Sequence, residues 1–507
     1  MSGASQNGGA YQQLLARTRD IGRLRGAEEL LQWDQETCMP PGGLTPRAEQ
    51  LALISGLAHE WLVVDEFGRL LEAARREGST DGDPVRTTNL REIQRLHDRE
   101  VRLPTALVKD IAHTSALARH AWVEARAHSD FARFAPLLAR LIELRREVAE
   151  RVGFTGEPYD ALLDEFEPGA TVAVIAPLFA ELREATIALL RRLQAAPAKP
   201  DASILTRAFP VPVQQTLSRQ LAELLGFDFE RGRMDVSAHP FTTSIGGGRD
   251  VRFTTRYLED FLPSSLFGTL HEVGHALYEQ GLPPEHIHTP MGWSVSLGIH
   301  ESQSRTWENF VGRSRPFWEG CYPRLRGLFP SVLHDISVGN FYNAINAVRP
   351  SFIRVEADEL TYNLHIVLRF ELERALILGK LNVQDVPEAW NEKMRDLLGV
   401  TPPNDAQGCL QDVHWSMGGF GYFPTYTLGN LYGAQFFAQA QRDIPDLDGR
   451  IRAGNCRPLL DWLRTNIHQH GQRYRAHEIV QRVTGKPLSL EPFLEYVTEK
   501  FAAVYGL

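Results

Sequence analysis

The chain has 507 residues, with 54 Lys+Arg against 63 Asp+Glu and a formal net charge of −9. Hydrophobic residues are 43% and charged residues 23% of the total, a globular balance that supports a large core without disulfide or metal staples. The acid excess argues against a nucleic-acid binder, and Cys38, Cys321, Cys409 and Cys456 are too dispersed for a disulfide framework or a thiolate zinc site, which fits a reducing compartment.

The N-terminal stretch MSGASQNGGAYQQ is polar and lacks the basic-then-apolar order of a signal peptide. Residues 11–33 read as an amphipathic helix. Residues 134–148 set Phe134, Leu137, Leu138, Leu141, Ile142 and Val148 on one stripe. Residues 175–193 repeat the pattern with Ile175, Leu178, Phe179, Leu182, Leu189, Leu190 and Leu193. Leu217, Leu221, Leu224 and Leu225 do so over 213–225, closed by Gly226. Spacings of three and four predict helices in each case. Pro197, Pro200, Pro210 and Pro212 mark 197–212 as a connector.

Residues 239–257 read differently. Val251, Phe253, Thr255 and Tyr257 alternate after the turn Gly246-Gly247-Gly248, which predicts a β-hairpin. Helical spacing returns at 266–282, with Gly281 as a stop, and at 298–312; 401–408 is a loop. No apolar run approaches the ~20 residues of a membrane span. About 150 residues per domain would suggest three domains, but no repeat or composition shift supports a cut. The expectation is one mainly α protein with one short sheet, without membrane or nucleic-acid partners, in the cytoplasm.

The segment 266–282 carries His271-Glu272-Val273-Gly274-His275, an H-E-x-x-H pattern. Chance supplies about 0.07 such matches in a chain of this composition. Four residues advance a helix by ~400°, so His271 and His275 share one face a turn apart and can bind one Zn²⁺. Glu272 lies ~100° round the helix, placed as general base on water rather than as ligand. Two hydrogen-bonded core histidines are the plainer alternative. A metzincin is excluded, because ALYEQGLPPE follows His275 where a third histidine motif would stand. A downstream carboxylate is then the third ligand. Glu301 and Glu308 both qualify and spacing does not choose; Glu301, beside His300, is preferred. Co²⁺ or Mn²⁺ would suit similar donors. A non-catalytic metal scaffold is disfavoured: structural zinc usually takes four protein ligands, often Cys, and none lies near this helix in sequence.

HEVGH followed by HESQS (300–304) resembles the carboxypeptidase Taq family of zinc metallocarboxypeptidases. HPF (239–241), DVRFT (250–254), IRVEAD (353–358), GCLQDVHW (408–415), WDQETCMPPGG (33–43) and YDALLDEFEPG (159–169) are similar to that family's segments in the same order. The resemblance implies an almost wholly helical fold of two lobes flanking a deep groove, similar to neurolysin and angiotensin-converting enzyme. It implies metal ligands His271, His275 and Glu301, with Glu272 as general base. The implied activity is release of single residues from peptide C-termini, broadly but with poor tolerance of C-terminal Pro, by a homodimer.

Segment 414–436 is similar to one in angiotensin-converting enzyme where a His and a Tyr stabilise the oxyanion. Tyr426, opening a helix over 426–436, is the first expectation for that role and His414 the second, with Tyr422 nearby. Arg354 and Arg252, within family-like motifs, are expected to bind the terminal carboxylate, as Arg is suited to bidentate pairing. His239 of the HPF motif is expected at the substrate. A structural ion pair with Asp250 or Asp358 is the competing role for the arginines. Some related helical peptidases carry an Asp four residues after the ligand Glu; Arg305 stands there, so the ligands need support from elsewhere. An endopeptidase or peptidyl-dipeptidase on the same scaffold is the rival within hydrolases.

Overall fold

The structure, a computed structural model, describes residues 9–77 and 82–507. The polar stretch at 1–8 lies outside them. Four helices open the chain: α1 (Ala10–Thr37), α2 (Leu44–Val63), α3 (Asp65–Glu77) and α4 (Pro84–Val101). Then come α5 (Thr105–His128), α6 (Phe131–Val152), α7 (Pro158–Phe166), α8 (Val172–Ala195) and α9 (Val211–Leu225). The strands β1 (Gly232–Val236), β2 (Thr242–Ser244) and β3 (Val251–Thr255) precede α10 (Leu262–Gly281) and α11 (Leu297–Arg305). The rest is helical: α12 (Arg315–Leu328), α13 (Pro330–Leu333), α14 (Val338–Ile345), α15 (Tyr362–Ile377), α16 (Val386–Leu398), α17 (Pro424–Asp443), α18 (Leu447–Arg452), α19 (Arg457–Asn466), α20 (Ala476–Thr484) and α21 (Glu491–Tyr505). The fold is mainly α with one small sheet among the described residues, as the periodicities predict.

The stripes bury as expected. Phe134, Leu138, Leu141, Ile142 and Val148 of α6 join Ile175, Phe179, Leu182 and Leu193 of α8 in one extended core, with Leu137 and Leu178 at its margin. α9 starts two residues earlier than predicted, because Pro212 sits in the first helical turn, where its missing N–H goes unneeded. A smaller apolar cluster, including Tyr11, Leu15, Leu62, Phe67, Leu71 and Ile93, lies among α1 to α4. These helices meet the body through ion pairs such as Arg475–Glu92 at 2.9 Å and Arg95–Asp164 at 2.8 Å.

The predicted hairpin is present as β2 antiparallel to β3. Sequence reasoning missed β1, which pairs in parallel with the other edge of β3. The alternation also breaks: Thr254 is as buried as Phe253 and Thr255, and its hydroxyl accepts from the Phe241 amide at 3.0 Å. β3 is a central strand covered on both faces, so it has no free solvent side.

α10 packs against β3 and α9 on one side and α11 on the other; α11 packs in turn on α17. Two glycines allow that sandwich. A Cβ at Gly274 would stand 2.5 Å from Ser304 Cα, and one at Gly429 would stand 2.5 Å from Glu301 Cβ. Helix backbones approach this closely only where a side chain is absent.

Candidate metal centre and active site

α10 is apolar on nearly every side. Leu270, Val273, Ala276 and Leu277 are buried, which fixes the rotation of the helix. His271 and His275 then project together, their Nε2 atoms 3.2 Å apart. The hydrogen-bond network assigns both tautomers. His271 Nδ1 faces Glu308 Oε2 at 2.9 Å and must donate. His300 Nε2 faces Glu279 Oε1 at 2.9 Å and donates, leaving His300 Nδ1 to accept from His275 Nδ1 at 2.5 Å. In the neutral rings each Nε2 therefore keeps its lone pair, and both face the same side; burial opposes protonation of His271, but Glu301 and Glu308 outweigh it and raise its pKa.

Glu301 completes the set. Its Oε2 lies 3.7 Å from His271 Nε2 and 3.5 Å from His275 Nε2. Donor atoms of these three residues lie within 4.8 Å of one another. Two imidazole nitrogens and a carboxylate fit a divalent cation that keeps an open position. Burial pulls the His275 pKa down to about 3, so its ring stays neutral. Burial opposes ionisation of Glu301, but Arg305 and the two imidazoles outweigh it and hold that carboxyl well below its usual range.

Glu308 does not compete for the same point. Seven residues is close to two helical turns, so both carboxylates face α10; a π-helical segment, Thr306–Val311, follows α11 and carries Glu308 to the far nitrogen of His271. Arg305 bridges the two, with Nε donating to Glu301 Oε1 at 2.6 Å and Nη1 to Glu308 Oε2 at 3.0 Å. Glu308 is partly buried, yet Arg305 and His271 overcome that cost and bring its carboxyl down to about 2. Glu308, held by Arg305, is in place to support His271 from behind. A carboxylate behind a ligating imidazole typically accounts for 10- to 100-fold in metal affinity. Glu308→Ala is expected to weaken metal retention by about that factor, read by chelator competition. Unchanged retention would refute this role.

Glu272 points to the sheet side. Thr242 Oγ1, on β2, donates to its Oε2 at 2.7 Å. Burial raises the Glu272 pKa, which makes it a stronger base than an exposed carboxylate.

A second cluster adjoins Glu301 through Tyr362. The Arg305 guanidinium lies 4.3 Å from the Tyr362 ring centre, and Tyr362 Oη accepts from Arg354 Nη1 at 2.8 Å. Tyr426 Oη and His414 Nε2 are 3.2 Å apart, and the Tyr422 and Tyr426 rings are 5.4 Å apart. Burial brings His414 down to about 3 and Tyr422 up to about 12, and raises Tyr426 well above its usual value. The imidazole is neutral and both phenols keep their protons.

The arginines have definite partners. Arg252 forks onto Asp250 at 2.9 and 2.8 Å. Arg354 does not pair with Asp358; its Nε and Nη2 donate to Asp412 Oδ1 at 3.0 and 2.8 Å. Asp358 instead accepts the amides of Leu360 and Thr361. His239 is exposed in the loop between β1 and β2, its carbonyl accepting from Ser237 Oγ at 2.6 Å.

Residues 13–501 match the family model of the carboxypeptidase Taq (M32) metallopeptidases. The chain belongs to that family. This M32 metallocarboxypeptidase is 49% identical to thermostable carboxypeptidase 1 of Thermus thermophilus, over 98% of this chain and 99% of the relative. It is 41% identical to carboxypeptidase 1 of Bacillus subtilis, over 95% and 96%. The crystal structure of the M32 carboxypeptidase from Deinococcus radiodurans R1 superposes with a TM-score of 0.95 at 39% identity, covering 98% of this chain and 100% of that one. A metallopeptidase requires a metal ion, and the His271–His275–Glu301 donors provide a place for it.

Several residues around this candidate site escaped sequence reasoning: Glu279, Thr242, Tyr362, Asp412 and Glu167. Buried Glu167 accepts from the Gly298 amide at 2.9 Å and from Tyr432 Oη at 3.1 Å, so it caps the helix that carries Glu301. Nothing local marks it except its place in the 159–169 motif. Among the described residues no helix is long and apolar enough to cross a membrane.

Proposed function

We propose that this M32 metallocarboxypeptidase is a zinc enzyme that releases single amino acids from peptide C-termini with broad specificity. One observation carries the reading. Two imidazole lone pairs and the Glu301 carboxylate converge on one point, with the basic Glu272 on the same helix turn. When bound, zinc supplies Lewis acidity, easing deprotonation of water near neutral pH and polarising a carbonyl. Co²⁺ suits the same donors.

The chain's own groups do the rest. Glu272 takes the proton of the attacking water and passes it to the leaving amine. Tyr426 donates a hydrogen bond from its hydroxyl to the developing oxyanion, with His414 3.2 Å away as its neutral partner. Arg354 and Arg369 share the single carboxylate of Asp412, with Arg369 Nε donating at 2.7 Å. Two guanidiniums on one carboxylate leave net positive charge, which favours a peptide's terminal carboxylate beside Arg354. Arg252, Tyr422 and His239 complete the substrate contacts. Residues 1–507 act as one catalytic domain of two lobes around a groove, as a cytoplasmic homodimer.

Product analysis on an N-blocked tripeptide tests the reading. Stepwise appearance of free amino acids is expected. Release of a dipeptide, or internal cleavage of a longer peptide, would replace it with a peptidyl-dipeptidase or an endopeptidase.

A further inference from the structure

The reaction scheme leaves one buried carboxylate without a task. Glu373 on α15 has no exposed surface, and its hydrogen bonds all come from neutral donors. Trp415 Nε1 donates to its Oε1 at 2.9 Å. The Gly421 amide donates to its Oε2 at 3.0 Å, and Tyr159 Oη to the same oxygen at 2.7 Å. Burial outweighs these hydrogen bonds and the charge of nearby Arg369, and pushes the carboxyl up to about 7. A side chain held this way is costly to desolvate, and an apolar residue would often stabilise a core as well.

The identity of the donors explains the carboxylate. Trp415 follows His414 directly, and Gly421 directly precedes Tyr422. Between them the chain makes a short 3-10 turn, His414–Met417, and then bends. This strap has no regular helical ladder of its own to set its position. Indole and amide N–H groups are donors only, and here they bind different oxygens. A carboxylate can accept both; a glutamine has one acceptor oxygen and must leave one unpaired. The far side is rigid. Tyr159 is buried in α7, edge-on to Phe370 with ring centres 5.7 Å apart. The α7 backbone also abuts the strap: a Cβ at Gly421 would lie 2.7 Å from the Leu162 carbonyl. Phe166, at the end of α7, meets the Tyr422 ring edge-on at 5.1 Å.

We infer that Glu373 is a positioning residue for peptide hydrolysis: with Tyr159 behind it, it pins both ends of the strap that carries His414 and Tyr422 and leads into Tyr426. The 159–169 motif thereby gains a purpose at each end, Tyr159 on the oxyanion side and Glu167 on the ligand helix. The inference rests on the reading of Tyr426 and His414 as the oxyanion groups.

The test uses the full-length, metal-loaded enzyme and an N-blocked phosphinic dipeptide, whose tetrahedral anion mimics the transition state. Glu373→Gln is expected to lower kcat about 10- to 100-fold, since small misplacements of reacting groups cost that much. KM should stay within about threefold, and phosphinate affinity should fall in step with kcat while metal content is unchanged. Unaltered kcat and phosphinate affinity would overturn the inference. So would a loss of active enzyme in which the folded fraction binds phosphinate normally, the mark of a merely structural residue. Tyr426→Phe separates the two readings. If it retains full kcat, the oxyanion assignment fails; if it loses kcat and Glu373→Gln does not, only the inference about Glu373 fails. Should Glu373→Gln not fold, Trp415→Phe removes one tether alone. It is expected to show the same pattern at severalfold size, and wild-type kcat in that variant would overturn the inference.

Discussion

Glu272→Gln is expected to lower kcat by about 10²- to 10⁴-fold, the usual span for a positioned general base, while the protein keeps its metal. The substitution is nearly isosteric. The glutamine oxygen can still accept from Thr242 Oγ1, which now donates at 2.7 Å, so the helix and its two histidines should not move. What disappears is a basic oxygen, made more basic than usual by burial. Because the proton transfer belongs to the transition state, kcat and kcat/KM should fall together with KM nearly constant. Metal content by elemental analysis and turnover of an N-blocked dipeptide are the two measurements. Hydrolysis at the normal rate with metal bound would remove Glu272 from the mechanism, and loss of metal would make it part of the ligand set.

Tyr426→Phe carries the second large effect, about 10²- to 10³-fold in kcat, the range for removing one oxyanion donor. The ring should stay in place. It is packed by the Arg354 guanidinium, 4.8 Å from its centre, and by Tyr422, 5.4 Å away. The lost atom is the hydroxyl, which the buried site keeps protonated. Substrate binding should change little, because the ground-state carbonyl gains less from the donor than the oxyanion does. Full kcat in Tyr426→Phe together with a large loss in His414→Ala would transfer the role to His414.

The readable parts of this site are those set within one helix. His271 and His275 share a face because a turn is 3.6 residues long, and the same arithmetic puts Glu272 beside them but off the ligand face. The long helices are legible for the same reason, as their apolar stripes repeat every three or four residues. The choice between Glu301 and Glu308 is of another kind. Both face α10, and only the close crossing of α10 and α11 at Gly274 gives Oε2 of one to the Nε2 atoms and sends the other to Nδ1, 37 residues away in sequence. Arg354 shows the limit again. The aspartate of its motif, Asp358, turns back to cap its own backbone, and the partner is Asp412, 58 residues on.

β1 went unseen because a five-residue strand with mixed burial carries little pattern, and its parallel pairing with β3 depends on residues nearly twenty positions later. Glu373 carries no pattern at all; it is one acid in a helix until Tyr159, Trp415 and Gly421 close around it. Periodicity and motif spacing report on neighbours along a helix, so fold class, the histidine pair and the proposed base can be read from the chain. Ligand choice, the carboxylates behind the ligands and the setting of the oxyanion strap depend on how distant helices cross. Those crossings come from side-chain volumes summed over many contacts, which no local stretch encodes.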